Sequence, residues 1–167
     1  ILEFGAGSGA LAAQILESLD DSSVKYFILE VSSDLKELQQ QSLSAYADRV
    51  VWLEQLPESF VGCVIANEVL DAMPVRLYIY DDEEKLKERH VTLRPTSTSE
   101  EETVATQPQN LFTWADEEVT AERLADGIER MPKIAGYSSE FNQQARAWIR
   151  SLGEWLKQGA AIIIDYG

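Results

Sequence analysis

Glu3-Phe4-Gly5-Ala6-Gly7-Ser8-Gly9 follows the apolar start Ile1-Leu2 and leads into Ala10-Leu11-Ala12-Ala13-Gln14-Ile15-Leu16. A strand that runs through a glycine-rich turn into a helix makes a nucleotide pocket. Glycines let the backbone turn sharply and approach a ligand that a Cβ would push away, and the helix N-terminus offers unpaired N–H groups. Which nucleotide is open at this point, because Gly5-x-Gly7-x-x-Ala10 also fits the looser dinucleotide fingerprint with alanine in third place.

Outward from that turn, Val24-Lys25-Tyr26-Phe27-Ile28-Leu29-Glu30 is a continuous apolar run ending in an acid, the pattern of a strand buried on both faces. Ser32-Ser33-Asp34 supply N-cap chemistry for an amphipathic helix to about Tyr46, with Leu35, Leu38 and Leu43 expected on its inner side. Val50 to Leu53 reads as a third strand and Val61 to Ala66 as a fourth, terminated by Asn67-Glu68. Strands alternating with helices at this spacing imply a doubly wound, mostly parallel, Rossmann-like α/β sheet with right-handed crossovers.

The alternation breaks after Pro74. Val75 to Tyr80 and Glu88 to Leu93 predict an antiparallel hairpin around Asp81-Asp82-Glu83-Glu84, residues 95 to 110 a mobile loop, and Asp116 to Arg130 a helix. The expected organisation is a single partial domain over 1–167, carrying a hairpin-plus-helix insertion subdomain at 75–135 between strands four and five. Ser138 or Ser139 is expected to open a long helix through Phe141, Ala145, Trp148, Ile149, Leu152, Trp155 and Leu156, capped by Gly159, before a fifth parallel strand from Ala160 to Asp165. The chain starts inside one strand and stops just after another, so it reads as truncated at both ends.

Composition narrows the function classes. With 167 residues, 45% hydrophobic and 26% charged, the chain has an ordinary soluble globular makeup. A formal net charge of -15 argues against non-specific nucleic-acid binding and suits a basic partner. Between residues 81 and 130 there are fourteen Asp and Glu against six Lys and Arg, so more than half of that charge sits in the insertion. One cysteine, Cys63, and one histidine, His90, leave no intrachain disulfide and argue against a cysteine- or histidine-based metal centre. Cys63 lies in an apolar run and reads as a buried thiol, and His90 as a surface residue. Trp52, Trp148 and Trp155 read as packing aromatics, while Trp114 is placed to meet a partner. No run approaches the roughly 20 apolar residues of a membrane span.

In a doubly wound sheet, ligands sit outside the C-terminal ends of the strands where strand order reverses. The notable polar groups fall there: Glu3 to Gly9, Glu30, Asn67-Glu68 and Asp165. Glu30 lies 21 residues after Gly9, an interval that brings a carboxylate beside the turn, where it accepts hydrogen bonds from ribose hydroxyls. Glu3 discriminates between nucleotides, because an acid facing the turn repels a pyrophosphate but attracts the ammonium group of a methionine moiety. S-adenosylmethionine carries that ammonium and no phosphate. An NAD-type dinucleotide enzyme is the alternative, and a non-catalytic cofactor-binding assembly factor is a third reading.

The acidic head, three alternate glycines and the acid on strand two resemble the class I methyltransferases. Asn67-Glu68-Val69-Leu70-Asp71-Ala72-Met73-Pro74-Val75, Gly136-Tyr137-Ser138-Ser139-Glu140-Phe141-Asn142 and Ile164-Asp165-Tyr166-Gly167 are similar, in this order, to segments of the MidA-like family. That family includes a mitochondrial factor that methylates an arginine on a complex I subunit during assembly. The resemblance implies that Glu3, Gly5, Ala6, Gly7 and Gly9 hold the methionine end of S-adenosylmethionine. It gives Glu30 and Val31 to the ribose side, and Leu53 and Glu54, in the stretch to Leu56, to adenine. Asn67 and Glu68 then stand next to the transferable methyl group, and Glu68 with Asp71 holds a guanidinium. Asp165 and Tyr166 either line the pocket or finish a strand. A protein substrate follows from the same resemblance, and a bacterial cytoplasm or mitochondrial matrix suits a disulfide-free chain.

Overall fold

The computed structural model describes residues 1–19, 21–94 and 111–166. The expected mobile loop at 95 to 110, like Gly167, lies outside them. The chain divides into two compact units, one made of Ile1–Met73 with Ala145–Gly167 and the other of Pro74–Gln144.

In the first unit, β1 (Leu2–Phe4), β2 (Tyr26–Leu29), β3 (Val50–Leu53), β4 (Phe60–Asn67) and β9 (Leu156–Ile164) form a parallel sheet in the order β3-β2-β1-β4-β9. Strand order therefore reverses between β1 and β4. The period-two alternation of a strand sorts the core into two layers. Tyr26 and Ile28 join Ala12 and Leu16 of α1 (Ala10–Ser18), with Leu43 and Val50, on one face. Leu2, Phe4, Val64 and Ala66 join Leu152 and Trp155 of α3 (Gln143–Trp155) on the other. Phe60 stacks on Trp155 at 5.1 Å, and Phe4 meets Trp148 edge-on at 5.1 Å.

The second unit is an antiparallel sheet ordered β7-β6-β5-β8, from β5 (Arg76–Tyr80), β6 (Leu86–Leu93), β7 (Phe112–Glu118) and β8 (Ser138–Phe141). Asp81 shapes the first hairpin, its Oδ1 accepting from the Glu83 and Lys85 N–H groups. Residues 112 to 118 form a strand, not the start of a helix. Arg89 opposite Asp116 and Lys87 opposite Glu118 pair across the ladder, and beyond them only one-turn 3₁₀ segments, Ala121–Arg123 and Ile128–Arg130, occur. Trp114 is exposed, with Arg89 over its ring.

Other features also differ from the sequence expectation. Ser138 to Phe141 pair with β5, so the long helix begins only at Gln143. Gly159 does not cap that helix but lies inside β9 at φ +130°, opposite Gly62 at φ +149°. A Cβ at Gly159 would stand 1.8 Å from the Gly62 carbonyl oxygen, so the two strands need glycine there. On α2 (Ser33–Ser42), capped by Ser32 through the Leu35 N–H, Leu35 and Leu38 are exposed, and the buried face is that of Gln39 and the following Leu43. Cys63 is half-buried rather than fully enclosed.

Gly159→Ala is expected to lower unfolding free energy by about 1–3 kcal/mol, the usual range for forcing extra atoms into a packed contact. Gly153→Ala, in open space on α3, should instead raise it by about 1 kcal/mol through helix propensity. Urea unfolding of both variants checks the pair.

Candidate functional site

Backbone register assembles the candidate residues. Phe4 is level with Leu29 of β2 and Ala66 of β4, and Leu29 with Leu53 of β3. The residues that follow, Gly5, Glu30, Asn67 and Glu54, therefore emerge along one edge of the sheet, flanking the point where strand order reverses. The Gly5 N–H donates to the Leu29 carbonyl at 3.0 Å, closing the last rung before the turn.

Beyond that rung Gly5, Gly7 and Gly9 all adopt left-handed φ, at +61°, +54° and +81°. A Cβ at Gly5 or Gly7 would meet nothing within 4 Å, so the turn faces open space at both. At Gly9 it would meet Ser42 Oγ at 2.9 Å, so that glycine serves close packing on the end of α2. Ala6 turns its side chain into the core, leaving only its backbone to the turn. The N-cap of α1 is Gly9, which has no side chain to cap the helix. Open glycine backbone leading into a helix N-terminus offers N–H groups to an anion such as the carboxylate of an amino-acid-bearing nucleoside.

Glu3 lies within β1, on the opposite face from Leu2 and Phe4, and is 2% exposed. Tyr26 donates its hydroxyl to Glu3 Oε2 at 2.8 Å. Burial raises the Glu3 carboxyl above its ordinary 4.5, with the Tyr26 hydrogen bond opposing, and burial also raises the Tyr26 hydroxyl. Glu3 is thus a buried carboxylate tied to Tyr26. Glu30 is partly buried and held from two sides: the Ser32 N–H donates to Oε1 at 3.0 Å and Gln39 Nε2 to Oε2 at 2.9 Å. Val31 beside it is 99% exposed. Leu53 packs against the core on the α3 side, while Glu54 is exposed and paired with Lys36 of α2, which lowers its carboxyl.

Across the reversal point, Asn67 ends β4 and Glu68 takes φ +52°, a left-handed conformation uncommon for a residue with a side chain. Its N–H donates to the Ile164 carbonyl, and its carboxylate accepts the Tyr166 hydroxyl at 3.1 Å, which raises the Tyr166 pKa. Asp165 Oδ2 accepts the N–H groups of Leu70 and Asp71, at 2.7 and 3.3 Å, pinning the loop that carries Asp71. Asp165 and Tyr166 therefore do more than finish a strand. Sequence reasoning missed Gln39 and Tyr26; a polar residue at the inward helical position four before Leu43 was the available signal for the first.

A separate apolar cavity of about 230 Å³ is lined by Phe4, Leu56, Trp148, Ser151, Leu152 and Trp155. In the second unit His90 is half-buried, its Nε2 3.9 Å from a Glu88 oxygen and from Glu117. Among the described residues no group of three or more His, Cys, Asp or Glu is placed to hold a metal ion, and no helix is long and apolar enough to cross a membrane.

A carboxyl with a raised pKa in the folded state adds stability that is complete below the unfolded value and is lost as pH rises through the folded one. Glu3→Gln keeps an acceptor for Tyr26 without the charge. In urea unfolding from about pH 4 to 8, it should gain on the wild type as pH rises; parallel curves would show that the Glu3 charge is not the cause.

Comparison with known proteins adds the family. The family model described as "Putative S-adenosyl-L-methionine-dependent methyltransferase" matches residues 1–167. The chain is 36% identical to an uncharacterized superfamily protein from Burkholderia thailandensis, with a TM-score of 0.77, covering 99% of this chain and 42% of that one. It is 37% identical to a superfamily member from the same organism whose crystal structure is bound to S-adenosyl-homocysteine, with a TM-score of 0.78 and coverage of 99% and 41%. The chain thus spans less than half the length of these relatives. No curated protein gives a match. With its whole length matched by that model, the chain belongs to this family of S-adenosyl-L-methionine-dependent methyltransferases.

Proposed function

We propose that the protein binds S-adenosylmethionine at the C-terminal edge of its parallel sheet and transfers the methyl group to a protein side-chain nitrogen, that of arginine. One observation carries the reading: an open left-handed glycine turn, a carboxylate oriented on the next strand, and an acidic loop across the reversal point share one edge of one sheet. The relative bound to S-adenosyl-homocysteine supports the choice of cofactor.

In this reading, Gly5, Ala6, Gly7 and Gly9 with the start of α1 hold the methionine end through backbone groups, and Glu3 supplies negative charge beneath them. Glu30 accepts from the ribose diol with Val31 beside it, while Leu53 and Glu54 border the base. When bound, the cofactor supplies an electrophilic methyl group on a sulfonium. The chain's part is positioning. Asn67 stands at the acceptor, and carboxylates of Glu68 and Asp71 hold a planar guanidinium by paired hydrogen bonds. Tyr166 keeps Glu68 in place, and Glu68 would accept the proton that the acceptor nitrogen gives up. The carboxylates gathered here, with Asp165 close by, favour a cationic acceptor.

The MidA-like segments support placing the acceptor on a protein of respiratory complex assembly, in a bacterial cytoplasm or mitochondrial matrix. Residues 75–135, the acidic insertion, then attract a basic partner.

Calorimetry on the intact protein should show binding of S-adenosyl-homocysteine and none of NAD; the reverse pattern overturns the cofactor reading. Glu30→Ala should weaken that binding about 10- to 100-fold, as expected when hydrogen bonds to a charged group are lost. With isotope-labelled cofactor and candidate protein partners, mass spectrometry should show Glu68→Ala methylating on the order of 10²-fold more slowly while its cofactor affinity holds. Partners left unlabelled by the wild type would favour a non-catalytic assembly role.

A further inference from the structure

Gln39 is 0% exposed, and every hydrogen-bonding group of its amide is engaged with an element of the site. Nε2 donates to the Gly7 carbonyl at 3.0 Å and to Glu30 Oε2 at 2.9 Å, and Oε1 accepts from Trp52 Nε1 at 3.1 Å. The network allows one amide orientation only. A carbonyl and a carboxylate accept, an indole N–H donates, and a flipped amide would set donor against donor.

A buried amide is costly unless it is paired, and leucine would fill this inward position of α2 without that demand. The side chain is therefore explained by what it bonds. Glu30 receives one donor on each oxygen, from Ser32 and Gln39, and each oxygen keeps a further lone pair. Two fixed donors on different oxygens stop the carboxylate from rotating. The same amide nitrogen fixes the Gly7 carbonyl, in the peptide that leads from the second open glycine of the turn to Ser8.

We propose that Gln39 is a positioning residue for the cofactor site: it orients the Glu30 carboxylate toward a vicinal diol and locks the Gly7 peptide, without touching the ligand itself. Trp52, at the far end of the same amide, then reports on ligand binding through its indole N–H. The inference rests on the reading of Glu30 as the ribose acceptor.

The test uses the intact protein, with S-adenosyl-homocysteine and its 2′,3′-dideoxy analogue as probes in calorimetry. Gln39→Leu should weaken S-adenosyl-homocysteine about tenfold and the dideoxy analogue, which depends on Gln39 only through the Gly7 peptide, by less than about twofold. Combined with Glu30→Ala, it should add less than about twofold, because both changes remove one coupled interaction. Gln39→Glu, which sets a second carboxylate against Glu30, should bind more weakly than Gln39→Leu. Equal losses for both probes, or full additivity with Glu30→Ala, overturns the role of Gln39 while leaving the site reading intact. Unchanged binding in Glu30→Ala overturns the site reading itself. Should Gln39→Leu fail to fold, wild-type NMR decides: the Trp52 indole N–H resonance should move with S-adenosyl-homocysteine and stay in place with the dideoxy analogue, and no movement with either overturns the proposal.

Discussion

The hydrogen bond from the Gly5 N–H to the Leu29 carbonyl is the last rung between β1 and β2, and the site depends on where that rung falls. Parallel pairing has no freedom to slide by one residue, since a slip would turn every core side chain of a doubly covered sheet to the wrong face. With Leu2, Phe4, Phe27 and Leu29 committed to the α3 side and Tyr26 and Ile28 to the α1 side, register follows. Gly5, Glu30 and Asn67 then leave the sheet side by side. Packing in the core thus sets the placement of polar groups at its rim.

The rim itself is held by polar atoms buried just beneath it. Tyr26 satisfies Glu3 below the turn, and Gln39 ties the turn, Glu30 and β3 together. Across the reversal point, Asp165 and Tyr166 at the end of β9 hold the loop that carries Glu68 and Asp71. The buried ones among these, Glu3, Tyr26 and Gln39, would cost stability if left unpaired, so they keep their partners in place. Glu68 at positive φ fits the same pattern: a local strain is tolerated because its N–H and carboxylate are both fastened to the neighbouring strand end.

Much of this was legible in the chain. The glycine turn, the apolar runs of β2, β3 and β4 and the acids that follow them are local patterns, and local patterns survive into the fold. Misreadings clustered where a long-range partner decided the outcome. Asp116 to Glu118 read as the opening of a helix, but they complete a strand that pairs with β6, where Asp116 and Glu118 meet Arg89 and Lys87. Gly159 resembles a helix cap until Gly62 is seen opposite it. After α2 Leu43 is buried as expected, but Leu35 and Leu38 are exposed and Gln39 takes the inward position, because three partners of its amide meet there.

By itself the sequence determined a doubly wound α/β core, a nucleotide-type glycine turn and the set of acids at the strand ends, since those depend on residue type and periodicity alone. Only the tertiary structure decided that Glu3 is buried against Tyr26, that Glu30 is clamped by Gln39, and that Glu68 is strained and held by Tyr166. The physical reason is that hydrogen-bond satisfaction of a buried polar group is settled by whichever donor the folded chain brings within about 3 Å, and spacing along the chain does not encode that distance.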